Sequence, residues 1–128
     1  MVAAESNLSE AEHQIKVADR PNAASREAYL AVLMAARAMI YVQTGKIAKT
    51  HGGTRSEISR LAHEDARIDR GFARFLTDGF GVKIWTDYGE GAPRLLTTDE
   101  GREAITEARR LIAHAESLLA SPEPPRAP

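Results

Sequence analysis

Residues 25–53 read SREAYLAVLMAARAMIYVQTGKIAKTHGG. Tyr29, Leu33, Ala36 and Ile40 recur at three- and four-residue spacing, which sets them on one side of an α-helix. Ala35, Ala36 and Ala38 add a seam of small residues where neighbouring helices can come close. No proline interrupts the run, and Gly45 offers the left-handed residue that commonly ends a helix. The spacing predicts a helix from about Ala23 to about Thr44, roughly 30 Å long at about 1.5 Å per residue. A helix of that length is the spine of a helical domain. Past it, a short cationic loop runs to Lys49-Thr50-His51 and a glycine pair, an exposed corner with the makings of a site.

The flanking sequence is helical as well. Asn7 with Glu10 three residues on reads as an N-cap signature for a first helix, with Leu8, Ala11, Ile15 and Ala18 on one face. Pro21-Asn22 breaks that helix and offers a cap to the next. Thr54 and Glu57 read as a capping box after Gly52-Gly53, opening a third helix with Ile58, Leu61 and Ala62 inward. Ile68, Phe72, Phe75, Leu76 and Phe80 carry the period into a fourth, which Gly79 and Gly81 weaken locally. The segment DYGEGAP at 87–93 reads as a turn or open loop. Thr97 with Glu100 caps a last helix that turns Ile105, Ala108, Leu111, Ile112, Ala115 and Leu119 inward. Residues 1–120 are thus expected to form one all-α antiparallel bundle of about five helices. The proline-rich stretch at 121–128 is expected to be a disordered tail.

Composition narrows the function. The chain has 128 residues, a net charge of −1 and few aromatics, so neither bulk positive charge nor a base-stacking platform is expected. It has no cysteine, which excludes disulfides and thiolate metal sites and suits a reducing compartment. No stretch approaches the roughly 20 apolar residues of a membrane span, and the N-terminus lacks the apolar core of a secretory signal. A cytoplasmic protein with no membrane contact is expected. His13 and His63 stand alone, and no pair has the spacing of a zinc site, so no metal or cofactor is expected.

One local patch departs from this neutrality. Lys46, Lys49, Arg55 and Arg60 face only Glu57 between positions 46 and 60. The free N–H groups at the start of the third helix, just after His51, would add to an anion's attraction. Lys49, Thr50, His51 and Arg55 are therefore candidate ligand-binding residues. The alternative is a plain helix-joining loop whose threonine and histidine satisfy backbone groups.

The order Ser25-Arg26-x-x-Tyr29-x-Ala31, Ala35-Ala36-Arg37-Ala38, Gly45, Lys49-Thr50-His51-x-Gly53 and Lys83-x-x-x-Asp87-Tyr88 resembles the HEPN superfamily, closest to its small stand-alone bacterial branch. The resemblance runs over about residues 8–119. It implies an up-and-down helical bundle, usually a homodimer. Many members are metal-independent endoribonucleases with an Arg-x(4–6)-His signature, often toxins beside a minimal nucleotidyltransferase antitoxin. Others have lost catalysis and bind nucleotides or proteins. This chain carries Met34 where the branch has His before Ala-Ala, and Lys83 where it has Arg before Asp-Tyr. Lysine is a point charge on a flexible stem, whereas arginine is a planar two-pronged clamp.

The resemblance makes Lys83 and His51 the candidate catalytic pair, with Asp87 and Tyr88 orienting Lys83 or a bound nucleotide. Lys83 otherwise packs its stem on the bundle and pairs with Asp87, while Asp87 and Tyr88 cap the fourth helix. Arg109 and His114 also fit Arg-x4-His, but in the last helix. Tyr29 reads as a core residue with its hydroxyl bonded, and Met34 and Met39 read as packing residues. Three functions follow: a module with a degenerate ribonuclease motif binding a nucleotide, RNA or a partner nucleotidyltransferase; an active metal-independent endoribonuclease; or a structural dimeric adaptor.

Overall fold

The computed structural model describes residues 2–16 and 18–120, and five helices follow one another through them. These are α1 (Val2–Lys16), α2 (Pro21–Thr44), α3 (His51–Glu64), α4 (Gly71–Tyr88) and α5 (Thr98–Leu119). The proline-rich stretch expected to be disordered lies outside the described residues. As the sequence leads one to expect, α2 is the spine: it packs against all four other helices. Ala24, Ala28, Ala31, Ala35 and Ala36 are buried completely, so helices on several sides approach it closely. Tyr29, Leu33 and Ile40 fill the core with Ile58, Phe72, Leu76 and Leu111 from α3, α4 and α5.

The ends of α2 and α5 follow local chemistry. Gly45 adopts φ 73° and returns its N–H to the Tyr41 carbonyl. At α5, Thr97 and Glu100 form the reciprocal capping box. The amphipathic α5 buries Ile105, Ala108, Leu111, Ile112 and Ala115, while Leu119 packs half-buried against the core.

The bounds of four helices differ from the sequence expectation. Helix α1 begins at Val2, so Asn7 lies inside it, and its amide donates to Glu27 Oε2 at 2.7 Å. Ala18, expected on the buried face, is exposed beyond the helix end. Helix α2 starts at Pro21, whose missing N–H costs nothing in the first turn. Asn22 therefore caps nothing; it ties the last turn of α4 and the segment after it, donating to Thr86 Oγ1 (3.0 Å) and the Arg94 carbonyl (2.8 Å) while accepting from Leu96 N–H (2.8 Å). Helix α3 begins three residues before Thr54, capped by Thr50, whose hydroxyl accepts from Gly53 N–H at 2.9 Å. Thr54 is buried within it, and Glu57 pairs with Arg60. Helix α4 runs through Gly79 and Gly81 to Tyr88, so the turn expected at 87 begins at Gly89, with φ 66°.

Gly79 earns its place by packing. A Cβ built there would stand 2.7 Å from Tyr29 Cδ1, so α4 crosses α2 with its backbone against the tyrosine ring. Overpacking a well-filled core costs about 1–3 kcal/mol. Gly79→Ala is expected to lower the thermal unfolding midpoint by several degrees. Gly52→Ala, on an exposed first turn where a Cβ meets only Arg55 Nη2 at 3.8 Å, should leave it unchanged or raise it slightly. Calorimetry of both variants checks the contrast.

Candidate functional site

The close crossing of α4 over α2 meets the start of α3 at one corner. Tyr29, buried in α2, points its hydroxyl at the first residue of α3: Oη and His51 Nδ1 are 2.5 Å apart. The two rings lie nearly parallel, 9° between planes with centroids 5.6 Å apart. Phe80, the residue after Gly79, closes the cluster at 5.3 Å from the His51 ring and 6.2 Å from Tyr29. His51 is thus held on two sides by aromatic faces and at Nδ1 by a phenol.

Cations surround this imidazole. Arg55, one turn along α3, lies over the Phe80 ring at 5.0 Å, and its Nε is buried with no hydrogen-bond partner. Arg37 of α2 donates from Nε to Thr54 Oγ1 (3.2 Å) and from Nη2 to the Lys49 carbonyl (3.4 Å). Lys83 of α4 is the third, close enough for its charge to act on His51. Among the described residues, neither Arg37 nor Arg55 has a carboxylate at ion-pair distance. By contrast Arg26, Arg60 and Arg110 each pair with two acids.

The consequences for protonation are direct. Burial, then the charges of Lys83, Arg37 and Arg55, hold the His51 pKa below its usual value, so the imidazole is neutral at neutral pH. Burial pushes the Tyr29 phenol up to about 12, against the opposing pull of Arg55 and Arg37. Two neutral groups therefore share one short hydrogen bond. With Tyr29 donating, Nε2 carries the ring proton; with Nδ1–H donating, Nε2 is a free base.

Behind Lys83 lies a chain of alternating charge. Its Nζ is 2.8 Å from Asp87 Oδ2, and Asp87 Oδ1 accepts from Arg26 Nε at 2.8 Å. Arg26 also donates to Glu27, which accepts from Asn7 of α1. Burial alone would raise the Asp87 pKa, but the hydrogen bonds from Lys83 and Arg26 outweigh it and hold the carboxyl below its usual range. Lys83 is consequently fixed, with only 12% of its side chain exposed.

The candidate residues named from sequence thus divide. His51, Arg55 and Lys83 converge, with Asp87 as the anchor of Lys83. Thr50 is occupied as a helix cap, and Lys49 contributes its carbonyl to Arg37. Tyr88 is 66% exposed, its ring 5.8 Å from Lys83 Nζ. Met34 sits half-buried on α2 against the core. Arg109 and His114 are not one site: Arg109 pairs with Glu12 of α1, while His114 Nε2 accepts from the Asp69 N–H at 3.2 Å beside Phe72. His13 and His63 are exposed, and no three His, Asp or Glu side chains among the described residues are grouped to hold a metal ion.

Tyr29 is, as expected, a core residue with its hydroxyl bonded, whereas nothing in the sequence pattern marks Arg37 as a site residue. The phenol offers a check: absorbance titration of the native protein should show a phenolate step near pH 12 that Tyr29→Phe removes. The variant keeps the buried ring and loses one hydrogen bond, at a cost of about 1 kcal/mol.

No curated protein and no solved structure matches the chain. The family model described as the HEPN domain matches residues 1–118, which takes in α1 to α4, all but the last residue of α5 and every residue of this corner. Sequence and helical architecture agree: the chain belongs to the HEPN domain family.

Proposed function

We propose that this HEPN domain binds the phosphate of RNA or of a nucleotide at the corner formed by Arg37, His51, Arg55 and Lys83. One observation carries the reading. In a near-neutral protein, Arg37 and Arg55 stand around a neutral imidazole with no carboxylate at ion-pair distance, and the buried Nε of Arg55 has no hydrogen-bond partner. Uncompensated cations in a partly dry corner are costly alone and favourable around an anion. The N-terminus of α3 adds its exposed N–H groups at the same place.

A second reading, cleavage without a metal ion, is favoured by the bond at Nδ1. With that nitrogen tied to Tyr29, Nε2 is the atom left to meet a substrate. His51 Nε2 would take the proton of a 2′-hydroxyl, whose oxygen attacks the adjacent phosphorus. The 5′-oxygen would leave with a proton from solvent, and Lys83 and Arg55 would stabilise the charge developing on phosphate. Association belongs to the proposal too. The outer stripe of α2, with Leu30, Met34 and Ala38 half-buried and Tyr41 exposed, suits a second copy of the chain or a partner such as a minimal nucleotidyltransferase.

Fluorescence anisotropy with a labelled single-stranded RNA tests binding, and the same RNA incubated without metal tests cleavage. Arg55→Ala and Lys83→Ala should each weaken binding roughly 10- to 100-fold, the worth of one charged hydrogen bond. Each should also flatten the dependence of affinity on salt. Cleavage by the wild type that Lys83→Ala abolishes would promote the second reading. Wild-type affinity in both folded variants would remove the site and leave a structural adaptor.

A further inference from the structure

We infer that an anion entering this corner draws a proton from solvent onto His51, so that binding there is coupled to pH. The inference rests on the phosphate-binding reading above and adds the device that regulates it.

The argument begins with the contact between Tyr29 and His51. Tyr29 Oη has His51 Nδ1 as its hydrogen-bond partner, and the phenol is buried. A neutral pair needs one proton in that contact. An imidazolium puts two there, the phenolic O–H and Nδ1–H, and the phenol must turn its own proton away. Relative to the form in which Tyr29 donates, charging the ring therefore costs the phenol its acceptor, a turn that the neutral Nδ1–H form also requires.

Every charged group facing the ring pushes the same way. From α2 comes Arg37, from α3 itself Arg55, and from α4 Lys83; among the described residues no carboxylate offsets them at His51. Asp87, the nearest acid along this chain of contacts, is spent on Lys83 and Arg26. These cations together with burial account for the depressed affinity of the free ring for a proton.

A bound phosphodiester reverses the sum. Its negative charge sits among the same three cations and attracts a fourth. The imidazolium then donates Nε2–H to a phosphate oxygen and Nδ1–H to Tyr29 Oη, so both ring nitrogens have acceptors. Because the bound state holds its proton more tightly than the free state, affinity rises as pH falls through the bound pKa. It levels off once pH is below the free pKa, where both states are charged. Above the bound pKa no proton is taken up, and only the permanent cations hold the ligand. The same proton that tightens the grip also removes the free base that cleavage would need.

The probe is a short deoxythymidine oligonucleotide, which has phosphodiester charge, no 2′-hydroxyl to be cleaved and no group that titrates near neutrality. His51 is followed by its ring carbon-bound proton in NMR, with and without oligonucleotide, from about pH 8 to about pH 5. Calorimetry in two buffers of different ionisation enthalpy counts the protons taken up. The expected result is an upward move of the His51 titration on binding, net proton uptake, and affinity that gains roughly tenfold for each unit of that move. His51→Gln should bind with no pH dependence over this range; should that variant fail to fold, the wild-type ring titration decides the matter. Binding that leaves the His51 titration where it was overturns the coupling and leaves the phosphate site standing. No binding and no response of the ring at any pH overturns the site reading and the coupling with it.

Discussion

The bare backbone of Gly79 lies on the ring of Tyr29, and the site depends on that contact. It brings α4 against α2 closely enough for Phe80 to reach the His51 ring and for Lys83 to act on it. The ring pressed by Gly79 is also the one whose hydroxyl ties Nδ1. One close crossing therefore sets the positions of a phenol, an imidazole and an ammonium contributed by three separate helices. A side chain at position 79 would separate them all at once.

Much of the fold was legible because it rests on local chemistry. The long run of α2, its Gly45 stop and the Thr97–Glu100 box at α5 are each decided within a few residues. The misread boundaries share a cause. Asn7, Asn22 and Thr54 are residues that cap helices when nothing better is offered, and here each has a distant partner that satisfies it more fully. Thr50 takes the role assigned to Thr54 because Gly52 and Gly53 tolerate the first turn of α3. The meeting of His51 with Lys83 lay beyond the reach of spacing, since it follows from how α3 and α4 cross rather than from the pattern on either one. Arg37 was hidden for the same reason: on α2 alone it is one more half-buried cation.

Several arginines elsewhere on the surface are paired with acids, whereas Arg37 and Arg55 at this corner are not. Along α3, and between α5 and the α3–α4 connection, arginines stand in short networks, Arg60 with Glu57 and Glu64, Arg110 with Glu107 and Asp69. Exposed pairs of that kind contribute little to stability, and they leave little field to attract a ligand. At the corner the acids are withdrawn. Asp87 is turned toward Lys83 and Arg26, and Glu27 toward Arg26 and Asn7, so the carboxylates order the scaffold while the remaining cations face the imidazole.

The grip of Asn22 on the segment after α4 bears on how the chain assembles as it is made. Its bonds to Arg94 and to Leu96 join residues 72 and 74 positions apart, and α5, which follows directly, is among the largest partners of α2. The α1–α2 hairpin can form from neighbouring sequence, but one flank of α2 has no cover until the last helix has been synthesised. An alanine-rich spine eases that wait: Ala24, Ala28, Ala31, Ala35 and Ala36 among its buried residues expose less apolar surface than leucines would.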